Sequence, residues 1–76
     1  MDDVRRGATA SLADPLSERE LEVLRLLDSD LTGPEIARLL FVSLNTLRTH
    51  TKRIFTKLDV KNRSAAVRRG HELRLL

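Results

Sequence analysis

At 76 residues and without cysteine, the chain has room for one small domain and offers neither disulfide staples nor thiolate metal ligands. Charged residues make up 33% and the only aromatics are Phe41 and Phe55, a composition that favours leucine-packed helices over a sheet. No apolar run approaches the roughly 20 residues that span a bilayer, and the polar N-terminus has no signal-peptide core, so the reading is a cytoplasmic protein off the membrane.

The net charge of +3 conceals an asymmetry. Residues 1–31 carry eight acids and four bases, whereas residues 32–76 carry three acids and ten bases. A basic half concentrated on the later helices is the electrostatic footprint of a polyanion binder.

Residues 1–15 lack apolar periodicity and close at Asp14-Pro15. They read as a flexible tail, or as a linker from an N-terminal regulatory domain in a longer parent chain. The folded domain is expected over 16–76. Its first helix, about 17–28, opens with the capping box Ser17-x-x-Glu20, flanked by Leu16 and Leu21 at staple spacing. Leu21, Val23, Leu24 and Leu27 form its inward stripe; Glu18, Arg19, Glu22, Arg25 and Asp28 face water.

The second helix, about 33–40, repeats the punctuation with Thr32-x-x-Glu35, and Leu31 and Ile36 form its staple. Gly33 and Pro34 occupy the first turn, where proline's missing N–H costs little. Ile36, Ala37, Leu39 and Leu40 turn inward, and the small Ala37 allows another helix to approach closely. Phe41 and Val42 form a brief connection to Ser43, the N-cap of a third helix over about 44–58, with Val42 and Leu47 as its staple. A short helix, a tight turn and a longer basic helix make a helix-turn-helix.

Asn62 caps a fourth helix over about 63–73. Ala66, Gly70 and Leu73 give it a narrow small-residue face, read as a weak homodimer seam or as the approach of another helix within the chain. The fold class is therefore all-α, a four-helix bundle containing a helix-turn-helix.

Chemistry concentrates on the third helix. Leu44, Leu47, Ile54 and Leu58 face inward, while Asn45, Arg48, Thr49, Lys52 and Thr56 share another face that holds no carboxylate. Such a face suits the major groove of double-stranded DNA. The Arg48 fork matches guanine O6 and N7, Lys52 reaches a base edge or a phosphate, and Thr49 offers its methyl to thymine. Asn45 and Thr46, at the helix start, are placed for phosphate oxygens or an adenine edge. Arg53, Lys57, Lys61 and Arg63 supply backbone attraction. His50 reads as a half-buried support bonded to a backbone group, with a phosphate contact as the alternative.

Catalysis finds no footing. His50 and His71 lack metal-ligand spacing, there is no phosphate loop or nucleophile motif, and Ser17, Ser43 and Ser64 are explained by capping. No metal and no cofactor is expected, and the protein is read as a non-enzyme. The competing reading is a protein-interaction module whose third helix docks an acidic partner.

Three segments then stand together: L-S-E-R-E-L-E-V-L-R-L-L, L-T-G-P-E-I-A-R-L-L-F-V-S, and N-T-L-R-T-H-T-K-R-I-F-T-K-L-D-V-K-N-R-S-A-A-V. This ungapped order resembles the LuxR-type helix-turn-helix domain of bacterial transcription regulators, over about Leu16 to Leu76. The resemblance implies a third helix that reads the major groove and a fourth that pairs subunits on DNA. By position, Arg48, Thr49 and Lys52 match its groove-contacting residues, and Thr32, Asn45 and Thr46 its backbone-touching ones. Glu20 and Glu35 match acids that brace the scaffold; Leu47 and Leu58 match core positions. The chain departs from the pattern at three places. Asp30 stands where glycine is usual, a position Asp can fill in the left-handed conformation. Gly33-Pro34 replaces a polar-basic pair, and Thr51 replaces an apolar residue on the inner side of the third helix.

Overall fold

The computed structural model describes residues 15–76, so the tail expected over 1–15 lies almost wholly outside the described residues. Among those residues there are four helices and no strand: α1 (Glu18–Leu27), α2 (Gly33–Leu39), α3 (Leu44–Leu58) and α4 (Arg63–Glu72). Every boundary lies within a residue of its expected place, because each start is a local hydrogen-bonded device.

Ser17 Oγ accepts from the Glu20 N–H at 3.1 Å while Glu20 Oε1 accepts from the Ser17 N–H at 2.9 Å. Thr32 and Glu35 form the same reciprocal pair at 3.3 and 2.8 Å. Ser43 Oγ and Asn62 Oδ1 each accept from the N–H three residues on. Each bond satisfies one of the donors that a helix N-terminus leaves without a partner.

The C-termini use a device that the sequence does not advertise. After α2, the Phe41 N–H donates to Arg38 O and the Val42 N–H to Ala37 O, with Phe41 at φ 59°. This is a Schellman closure with phenylalanine in the left-handed position. The same pattern closes α3 around Asp59 (φ 58°, Val60 N–H to Phe55 O) and α4 around Arg74 (φ 61°, Leu75 N–H to Gly70 O). None of the three is glycine, which would take that backbone without a Cβ penalty. Asp30, which the sequence allowed to be left-handed, is not among the positive-φ residues.

The core is Val23, Leu24, Leu27, Ile36, Ala37, Leu47, Ile54, Leu58 and Ala66, with Leu16, Leu31 and Val42 of the staples packed against it. α3 lies at the centre, in contact with α1, α2 and α4, and α4 also packs on α1. Leu21, Leu40 and Leu44, expected to face inward, are only half-buried, and Leu39 is 55% exposed. α2 spans only seven residues and buries a narrow stripe of Ile36 and Ala37, so its outer leucine stays wet.

On the fourth helix Ala66 is fully buried and Gly70 is buried, both packed into the chain's own core. A Cβ built on Gly70 would lie 3.0 Å from Leu76 Cδ1 and 3.1 Å from Leu24 Cδ2. The glycine lets α1 and the C-terminal leucine close over α4. Leu73 is half-buried against the same core.

Candidate nucleic-acid interface

On α3 the step of about 100° per residue brings Asn45, Arg48, Thr49, Lys52 and Thr56 within about 100° of arc. All five are exposed, as are Thr46 and Arg53 on its flank. Among the described residues no carboxylate lies within ion-pair distance of Arg48, Lys52 or Arg53. The cationic face is therefore available to an external anion.

The hydroxyls on this helix are turned back onto it. Thr49 Oγ1 donates to Asn45 O at 3.2 Å and Thr56 Oγ1 to Lys52 O at 3.0 Å. That uses each hydroxyl hydrogen and leaves the Thr49 methyl and an acceptor lone pair for a partner. Thr51 does the same, donating to Arg48 O at 2.9 Å. This is how a polar residue is accommodated at a half-buried position. At the start of α3, Ser43 Oγ also donates to Thr46 Oγ1 at 2.9 Å, ordering the first turn beside Asn45. Thr32, at the exposed start of α2, has its oxygen committed to the Glu35 N–H.

Two of the expected backbone contacts are tied into the scaffold instead. Lys57 Nζ lies 2.8 Å from Glu20 Oε1 and donates to Pro15 O at 3.2 Å. The Arg63 guanidinium caps the end of α1, with Nε donating to Leu27 O at 2.9 Å and Nη2 to Ser29 O at 2.9 Å and Leu26 O at 3.4 Å. Both long side chains found acceptors 34 or more residues away, which no local pattern announces. Lys61 remains exposed.

Burial pushes the Glu20 carboxyl up, but hydrogen bonds from the Lys57 ammonium and the Ser17 backbone outweigh it and hold the group below its ordinary value. The Thr32 backbone and hydroxyl lower the Glu35 carboxyl in the same way. His50 is half-buried as expected, and among the described residues its buried Nδ1 has no hydrogen-bond partner.

The family model described as bacterial regulatory proteins, luxR family, matches residues 14–69. The transcriptional regulatory protein LiaR of Bacillus subtilis is 37% identical over 92% of this chain and 33% of its own length. The probable transcriptional regulatory protein NarL of Mycobacterium tuberculosis is 41% identical over 93% of this chain and 33% of its own. Among solved structures, the response regulator ChrA of a heme-sensing two-component system superposes with a TM-score of 0.78 at 34% identity, covering this whole chain and 39% of that one. The chain thus spans about a third of the length of these curated relatives. It belongs to the luxR family of bacterial regulatory proteins, as a helix-turn-helix domain of that family.

Proposed function

We propose that this domain binds double-stranded DNA with sequence preference, seating α3 in the major groove. The observation that carries the reading is the exposed, carboxylate-free face of α3. Arg48 and Lys52 are one turn apart, about 6 Å along the axis, which spans about two base-pair steps of 3.4 Å. Arg48, Thr49 and Lys52 face base edges; Thr32, Asn45, Thr46, Arg53 and Lys61 face the backbone. Lys57 and Arg63 leave that set because their donors are engaged within the fold. Double-stranded DNA is thus the partner, and the domain is the DNA-reading part of a transcription regulator. The one-third span of its relatives supports a longer parent chain with an N-terminal regulatory domain.

Selection of bound sites from a random duplex library, followed by titration, tests this. Arg48→Ala is expected to weaken the selected site by about 1–3 kcal/mol and to relax base preference at one position. Equal affinity of both proteins for selected and scrambled duplexes would overturn the assignment. If random duplex fails to bind even at low salt while an acidic protein partner does, the interaction-module reading replaces it.

A further inference from the structure

The Glu20–Lys57 pair is unlike the other ion pairs of the domain. Arg19–Glu22 and Arg69–Glu72 join neighbouring residues on exposed helix faces, and His71–Asp28 is also exposed. The Glu20 and Lys57 side chains, by contrast, are only 5% and 20% exposed; like the exposed His71–Asp28 pair they join residues far apart in sequence, here 37. Glu20 Oε1 accepts at once from Lys57 Nζ and from the Ser17 N–H, and Lys57 Nζ donates again to Pro15 O. Four residues thus form a closed clasp between the capped start of α1 and the last turn of α3. Ser17, Glu20 and Lys57 line one groove with Lys52, Arg53 and Thr56, which belong to the proposed reading face or its flank.

Resting on the DNA reading above, we propose that Lys57 and Glu20 are positioning residues for sequence recognition. The clasp sets the roll and seating of α3 against α1, and so the aim of Arg48, Thr49 and Lys52 into the groove. A leucine stripe alone holds a helix loosely about its axis, because apolar contact has no direction. A charged hydrogen bond at the flank of that stripe has one. Lys57 is poorly suited to bind phosphate. Two of its three N–H donors are used. Turning the ammonium outward would leave a buried carboxylate without its cation, a costly state. The paired charges also cancel, so they add nothing to counterion release. Because Pro15 O is held by the same ammonium, the clasp also ties the residue that leads into α1 to the last turn of α3.

The test uses the 76-residue chain with Lys57→Met, Lys57→Arg and Glu20→Gln. Binding to a selected duplex and a scrambled one is followed across salt, with an amide NMR spectrum to monitor folding. Lys57→Met should weaken the selected site about tenfold more than the scrambled one, with Lys57→Arg restoring most of the difference. Glu20→Gln, which keeps the shape and the cap acceptor, should move the selected-to-scrambled ratio the same way by a smaller factor and decides the matter if Lys57→Met does not fold. Parallel loss on both duplexes with a slope reduced by about one would make Lys57 a phosphate contact and overturn the proposal. An unchanged ratio in every folded variant would overturn it as well. A wild-type chain that shows no preference for the selected duplex defeats the DNA reading itself, and that failure is visible before any variant is compared.

Discussion

The Arg63 guanidinium donates to Leu27 O at 2.9 Å, so the first residue of α4 closes the last turn of α1. Two further carbonyls, Leu26 O and Ser29 O, complete the bracket. Among the described helices α1 alone lacks a left-handed closing residue, and this side chain satisfies a carbonyl its end leaves open. Arg63→Ala should cost about 2 kcal/mol of stability, the range of hydrogen bonds to a charged group. Arg63→Lys should recover less than half, since an ammonium lacks the fork. Thermal melts measure both, and a salt slope on DNA that stays constant in Arg63→Ala separates the bracket from a phosphate role.

A Cβ at Gly70 would crowd both Leu76 and Leu24. Gly70→Ala should be nearly neutral, because roughly 1 kcal/mol of helix propensity offsets the small shift required of Leu76. Gly70→Leu should lose about 1–3 kcal/mol by overpacking against Leu24. Both should leave the sedimentation behaviour unchanged, since the residue faces the chain's own core. A shift in association state would restore it to a seam between copies.

Phe41 combines 94% exposure with φ 59°, so its ring gains little burial while its backbone is strained. Phe41→Gly should stabilise the domain by about 0.5–1 kcal/mol, the left-handed penalty less the added chain entropy of glycine. Urea melts read the sign directly; a loss would mean the ring holds the turn through its apolar neighbours.

The acid limb of stability should report Glu20. Its folded carboxyl sits below the ordinary 4.5, so it contributes stability that is complete above that value and is lost as pH falls through the lower folded one. Melts from about pH 7 to about pH 3 should show that Glu20→Gln flattens this limb, while Glu22→Gln, on an exposed pair, leaves it nearly as it was. An unaltered limb in Glu20→Gln would show that the pair contributes no net stabilisation.

Legibility in the sequence followed the range of the interaction. Ser17 with Glu20 and Thr32 with Glu35 could be read as caps because both partners lie within one turn, and both pairs are present. Leucine spacing found Leu24, Leu47 and Leu58 for the same reason. It overreached at Leu21, Leu39 and Leu44, where periodicity names a face but not how far a neighbour covers it. The Schellman closures were invisible because Phe41, Asp59 and Arg74 carry no glycine signal.

The amino-acid sequence by itself determined four capped helices, their bounds and the carboxylate-free face of α3. Those properties depend on residues three or four apart, whose geometry a helix sets in advance. Only the tertiary structure decided what the long charged and the small residues do. Lys57 turned to Glu20, Arg63 to the end of α1, and Ala66 and Gly70 into the core. A flexible cation takes whichever acceptor the fold brings within reach, and a small side chain whichever helix comes closest, so neither choice is written in local spacing.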